Sequence, residues 1–367
     1  MNPVILFVTY TMNQPAPVGG AFFRALRLAV EFHNRGWIPI ICNRGPSLND
    51  PKIDQARAKI QFIDLDVKIP GCDSKAAYVF FKSLKPDIVV FGEGPLESMQ
   101  IYYDGARMIN RPFVLLDQYY SRWLVKRRRH VDLLLLNGLK SFWKDEGELY
   151  PREVIIPPHI EAVTPKTSIP VPPHLHAKPW VTLIAYDSLV LQKGIQLLAH
   201  LENIDEEVVC ITVSHEPGEA EQLMFSAGMN SQRLVHLPLQ NDANVYGLME
   251  VSQVLLISNG FLQIMEALAL ATPVICISRG IGITAFNIDE RFKPFVSIDE
   301  DENCQVQRLK QWLTHSNSLF PPALREELKL ERNGVKICTD LIEEVKRQPP
   351  LLPRLRRLAL HFGVEMY

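Results

Sequence analysis

The segment from Val254 to Ser278, VLLISNGFLQIMEALALATPVICIS, constrains the fold of this chain more than any other. Val254 to Ile257 is apolar enough for a buried strand. Ser258-Asn259-Gly260 supplies a turn, a short apolar helix carries one carboxylate at Glu266, and Thr272-Pro273 breaks that helix before a second buried run, Val274 to Ile277. Strand, helix and strand in this order form a crossover between parallel strands, with the glycine turn at the carboxyl end of the first strand, where open α/β sheets bind ligands. Glycine lets a phosphate approach the backbone, and the N–H groups and positive end of the following helix favour an anion. Glu266 lies about two turns into that helix among Ile264, Met265, Ala267 and Leu268, and a carboxylate in such company needs partners. A pair of ribose hydroxyls would supply them; the alternative is a buried crossover whose carboxylate is paired internally.

The rest of the chain repeats the pattern. Apolar runs at Val4–Val8, Ile38–Cys42, Ile60–Ile63, Ile88–Phe91, Phe113–Leu116 and Leu133–Leu136 alternate with helical periodicity, the clearest from about Ala21 to Asn34, stopped by Gly36. Such alternation predicts a parallel sheet covered by helices. Between Pro157 and Pro179 seven prolines interrupt any periodic structure, and the stretch reads as an interdomain linker. The alternation restarts with Val181–Ala185, a helix after Gly194, Val208–Val213 and Leu234–Leu237. The expected organisation is therefore an N-terminal Rossmann-like domain over 1–156, a linker over 157–179, a second Rossmann-like domain over 180–320 and C-terminal helices over 321–367.

A chain of 367 residues, 47% hydrophobic and 22% charged, suits two domains of ordinary size, and a formal net charge of −2 gives no reason to expect nucleic acid as a partner. The six cysteines have no C-x-x-C spacing and read as reduced residues of a cytoplasmic protein. The first strand starts at Val4, which leaves no room for a signal sequence, and no apolar run approaches membrane-spanning length. The ten histidines are dispersed, so no metal site is expected, and no Ser/His/Asp order suggests a hydrolase.

Ser258-Asn259-Gly260, Gln263, Glu266-Ala267-Leu268 and Thr272-Pro273-Val274 resemble the donor-nucleotide segment of GT-B glycosyltransferases, in particular the bacterial peptidoglycan N-acetylglucosaminyltransferase and the plant-type UDP-glycosyltransferases. In those families a small residue and a glycine open the helix toward the diphosphate, and a glutamate six residues on binds the ribose. Gly260 and Glu266 match that spacing, while Ala271 stands where a glycine is usual. The resemblance implies an α/β GT-B fold: two Rossmann-like domains facing a cleft, the first for the acceptor, the second for a UDP-linked nucleotide sugar, with the last helices crossing back to the first. It also implies donor contacts from Lys193, whose Lys193-Gly194 pair is similar to the element that meets the diphosphate in retaining enzymes, and from Arg279 and Thr284. An ammonium there would neutralise the leaving diphosphate without a metal; Lys193 reads equally as a surface lysine. The glutamate that retaining enzymes place eight residues before the ribose glutamate is Ser258 here, which favours inversion.

In the first half, Gly19-Gly20 and Arg24 resemble the glycine-rich loop of the same enzymes, but Ala21 occupies the place of the histidine that often follows the paired glycines. An alanine cannot move a proton. The base would then come from a carboxylate at a strand end, and Glu93 and Asp117 are the candidates; Glu93 also reads as a solvated turn residue and Asp117 as a helix cap. Two basic clusters, Arg122 to His130 and Arg354 to Arg357, suit an anionic acceptor, peripheral contact with an acidic membrane, or simply a solvated face. Together these features predict a cytoplasmic glycosyltransferase, with peripheral membrane association as one option, that moves a sugar from a nucleotide donor to an unidentified hydroxyl acceptor, inverting and metal-independent, with no cofactor beyond the nucleotide-sugar co-substrate. The rival expectations are a nucleotide-sugar 2-epimerase of the same fold, which needs no acceptor, and a non-catalytic GT-B protein that binds a nucleotide sugar or a partner.

Overall fold

A computed structural model of the chain describes residues 2–11, 20–45, 51–71, 73–92, 96–117, 131–139, 153–160, 163–185, 187–202, 208–214, 217–229, 231–238, 242–258, 261–277, 290–298, 301–314 and 319–347. The chain divides into two compact units, Met1–Asn137 with Gly147–Ile156 and Gly334–Tyr367, and Gly138–Glu146 with Pro157–Asn333.

Unit 1 runs β1 (Val4–Tyr10), α1 (Gly20–Asn34), β2 (Ile38–Arg44), α2 (Pro51–Ala56), β3 (Gln61–Asp64), α3 (Leu65–Lys68), α4 (Ser74–Ser83), β4 (Ile88–Phe91), α5 (Leu96–Arg107), β5 (Phe113–Asp117), β6 (Leu133–Asn137) and β7 (Glu153–Ile156). Its seven strands are parallel, in the order β3-β2-β1-β4-β5-β6-β7. Successive residues of β1 and β4 are buried on both faces, and a sheet of this kind must be covered by helices on both sides. Ile5, Phe7, Val90 and Val114 pack with α1, whereas Leu6, Val8, Val89 and Phe113 pack with Phe81, Met99 and Tyr103 of α4 and α5. Helix α1 ends where Gly36 turns to φ +83, and Trp37 N–H then reaches back to Phe32 O at 3.0 Å.

Unit 2 repeats the topology with β8 (Trp180–Ile184), α6 (Ser188–Glu202), β9 (Val209–Ser214), α7 (Pro217–Ser226), β10 (Leu234–Pro238), α8 (Asp242–Val251), β11 (Val254–Ser258), α9 (Phe261–Ala269), β12 (Val274–Ile277), β13 (Val296–Ser297), α10 (Glu302–Thr314) and α11 (Pro322–Leu330). The parallel order is β10-β9-β8-β11-β12-β13. In both units strand order reverses beside the first strand, between β1 and β4 and between β8 and β11. The loops at the carboxyl ends of those four strands flank the reversal, the position where doubly wound sheets place their ligands.

Three expectations change. The proline-rich stretch is not a free linker: Ile169, Val171 and Leu175 are buried in the core of unit 2, and Trp180 Nε1 donates to Leu175 O at 2.9 Å. Prolines preclude regular structure but not burial, and 3₁₀ turns at Lys166–Ser168 and Pro173–Leu175 carry the chain through. The C-terminal helices separate, because the apolar face of α11 (Leu324, Leu328) joins the core of unit 2, while the next helix, α12 (Gly334–Arg347), lays Cys338, Ile342 and Val345 on unit 1. Polar contacts fix α12 there: Arg35 Nη1 to Asp340 Oδ1 at 2.6 Å and Trp37 Nε1 to Glu343 Oε1 at 2.9 Å. The third change is in α6, which begins at Ser188 rather than after Gly194. Among the described residues no helix is long and apolar enough to cross a membrane, and no group of three or more His, Cys, Asp or Glu side chains could hold a metal ion.

Candidate functional site

The β11–α9 crossover carries the densest set of candidate residues. Ser258 closes β11, in register with Ile277, and its Oγ donates to Gln263 Oε1 at 3.1 Å, tying the strand end to the first turn of α9. This bond leaves Gln263 Nε2 buried with no acceptor among the described residues. Asn259 and Gly260, between them, lie outside the described residues, as do Arg279 and Thr284.

Glu266, half-buried in the second turn of α9, accepts a hydrogen bond at Oε1 from Tyr246 Oη at 3.0 Å. Tyr246 belongs to α8 and is itself buried; its hydroxyl also lies 3.4 Å from the carbonyl of His159. The sequence reading missed this partner, because the pairing joins two helices and leaves no local pattern. The one signal was the neighbouring Gly247, where a Cβ would stand 2.7 Å from Thr164 O, so that α8 can seat against the 163–165 backbone only with glycine there. Beyond α9, Ala271 adopts φ +56, with its N–H bonded to Leu268 O at 2.8 Å and that of Thr272 to Ala267 O at 2.9 Å. That left-handed cap is a conformation in which glycine carries no steric cost and alanine does. Thr272 Oγ1 donates to Met249 O at 2.6 Å, so the exit of the crossover is also tied to α8.

Across the strand reversal, Asp187 starts α6 as its cap: Oδ1 accepts from Val190 N at 3.0 Å, which is why the helix begins before Lys193. Lys193 is exposed in the second turn of α6. Gly194 packs against the sheet: a Cβ there would run into the Leu183 side chain of β8 and lie 3.0 Å from Ile277 Cδ1 of β12, so those side chains would have to shift. The Lys-Gly pair therefore lies within a helix, with the glycine against the sheet, rather than on a phosphate-cradling loop.

In unit 1, Asp117 is the last residue of β5 and only 4% exposed, so the strand, not a loop, holds it. Thr9, next to last in β1, and Asn137, last in β6, lie along the same carboxyl edge, both buried, and Thr9 Oγ1 and Asn137 Oδ1 have no hydrogen-bond partner among the described residues. Gly20 opens α1, whereas Gly19 and Glu93 lie outside the described residues, as do both basic clusters. Arg24 does not face solvent: it is 3% exposed, and its charge acts on Cys338 of α12. Burial raises the Cys338 thiol far above its usual range, with Arg24 opposing the shift. Arg24 is therefore a buried cation beneath α12 rather than a residue on an open face.

No family model and no curated protein matches the sequence. Solved structures do match over nearly the whole chain. A provisionally named UDP-N-acetylglucosamine 2-epimerase from Listeria monocytogenes has a TM-score of 0.63 at 11% identity, covering 95% of this chain and 98% of that one. CalG4, the calicheamicin glycosyltransferase, gives 0.60 at 13% identity, covering 96% and 100%. MurG of Acinetobacter baumannii gives 0.57 at 14% identity, covering 93% and 100%. Identities this low speak for architecture, and with two parallel sheets in matching order they establish that the chain has the α/β GT-B fold, built of two Rossmann-like units.

Proposed function

We propose that unit 2 binds a nucleotide sugar, its diphosphate at the start of α9 and its ribose on Glu266, and that the chain is a metal-independent, inverting glycosyltransferase. The observation that carries the reading is Glu266 itself: a half-buried carboxylate in the second turn of the helix that follows a reversal-point strand, with one oxygen already held by a tyrosine. A UDP-linked donor is supported by the spacing of Ser258, Gly260 and Glu266 and by the likeness to an enzyme named for UDP-N-acetylglucosamine. In the transfer, an acceptor hydroxyl oxygen bonds to the anomeric carbon as the bond from that carbon to the diphosphate breaks. The hydroxyl proton passes to a carboxylate of unit 1, for which Asp117 is the described candidate. The nucleoside diphosphate leaves from unit 2.

A second reading, epimerisation of the nucleotide sugar, is favoured by the epimerase likeness, while Ala21, in the place of the histidine often found there, favours a non-catalytic protein that binds a nucleotide sugar. Incubation with UDP-N-acetylglucosamine and a panel of hydroxyl acceptors separates the two. Sugar on an acceptor supports transfer, an epimerised nucleotide sugar with no acceptor consumed supports epimerisation, and neither product from a donor that binds overturns both in favour of a non-catalytic binding protein. The binding claim is tested by Glu266→Ala, expected to weaken UDP binding by about 1.5–3 kcal/mol, the worth of a charge-assisted contact. Unchanged affinity by calorimetry in the folded variant would refute it.

A further inference from the structure

The partner of Glu266 has a role that follows from where its hydroxyl is anchored. Tyr246 is 3% exposed, and its ring is part of the unit 2 core. A phenol has one proton to give, and the ionised Glu266 oxygen at 3.0 Å takes it in preference to the neutral His159 carbonyl at 3.4 Å, since bonds to charged acceptors are shorter and stronger. The terminal torsion of a glutamate is broad and roughly two-fold, so a carboxylate on a helix surface otherwise samples many planes. Fixing one oxygen fixes the plane and therefore the directions in which the carboxylate can accept further bonds.

The hydroxyl's own position does not depend on a bound ligand. Helix α8 is seated by Gly247, where any side chain would collide with Thr164 O, and the bond from Thr272 Oγ1 to Met249 O ties the far end of the crossover to the same helix. Both Glu266 and the exit of α9 are thus referenced to α8. Preorganisation of this kind lowers the ordering cost of binding rather than adding a contact.

We infer that Tyr246 is a positioning residue that orients Glu266 for recognition of the ribose hydroxyls. The inference rests on the ribose reading of Glu266 given above. A tyrosine that only filled the core, or only satisfied a buried carboxylate, would affect every nucleotide alike. One that orients Glu266 toward ribose would affect only nucleotides carrying the 2′ and 3′ hydroxyls.

The test uses the full chain, calorimetry and two probes, UDP and its 2′,3′-dideoxy analogue. Tyr246→Phe keeps the ring and removes the hydroxyl. We expect about fivefold to tenfold weaker UDP binding, the scale of one hydrogen bond, with dideoxy-UDP affinity unchanged, which also shows that the variant is folded. In the Glu266→Ala background the same change is expected to cost nothing further, because the group being oriented is gone. Unchanged UDP affinity, equal losses for both probes, or additive losses in the double variant would each overturn the inference while leaving the ribose reading intact. If Glu266→Ala alone leaves UDP affinity untouched, or if the unaltered chain binds neither probe, the ribose reading fails and the inference falls with it.

Discussion

The two units of this protein share a strand order and differ in what their carboxyl edges carry. In unit 2 the strand before the crossover ends on Ser258, bonded to Gln263, and the following helix presents Glu266 on Tyr246, so the polar groups at the reversal are linked to one another. In unit 1 the corresponding edge carries Thr9, Asp117 and Asn137, all buried, each on a separate strand. The same topology thus supports a polar cluster assembled on one crossover and the helix before it, and an edge assembled from several strands. The first kind suits a ligand common to many enzymes, such as a nucleotide. The second suits an acceptor that differs from one enzyme to the next, because separate strands and loops can change independently.

The largest effect that would sharpen this comparison is at Asp117. Removing a general base costs about 10²–10⁴-fold in rate. Asp117→Asn is therefore expected to lower turnover on that scale while leaving UDP affinity unchanged, since the proposed nucleotide contacts belong to unit 2. Full turnover in the variant would remove Asp117 from the chemistry, and a parallel loss of UDP affinity would break the division of labour between the units.

What could be read from sequence follows the range of the interactions. Strands such as Ile88–Phe91, Val254–Ser258 and Val274–Ile277 were legible because continuous apolar runs bounded by turn residues have few alternatives to burial in a parallel sheet. Glu266 was legible because a lone carboxylate in an apolar helix is costly without partners. The partner was not, because Tyr246 reaches Glu266 only through the packing of α8 against α9. Strands β7 and β13 escaped notice for different reasons: β7, Glu153–Ile156, opens on a glutamate and so offers no continuous four-residue apolar run, and β13 has only two residues. The burial of the proline-rich stretch was missed for another reason: proline forbids a hydrogen-bonding pattern without forbidding apolar contact, and Ile169, Val171 and Leu175 supply that contact.

A smaller effect is expected at the end of the unit 2 crossover. Ala271 sits at φ +56, where an L-residue is strained by roughly 1–2 kcal/mol. Ala271→Gly removes that strain but loosens the unfolded chain, so a net gain of at most about 1 kcal/mol in stability is expected, with UDP affinity unaltered. Thermal unfolding measures it; a loss of stability would mean that the left-handed cap at Ala271 is wrong.

The claim that unit 2 alone carries the nucleotide site is tested most directly by amide hydrogen exchange of the full chain with and without saturating UDP. A ligand at about 100 times its dissociation constant adds about 2.7 kcal/mol to the stability of whatever must open to release it. Slowed exchange is expected over 254–277 and at the start of α6, with β1, β4 and β5 unchanged. Slowing confined to unit 1, or none in unit 2 under conditions where calorimetry reports saturation, would contradict the assignment.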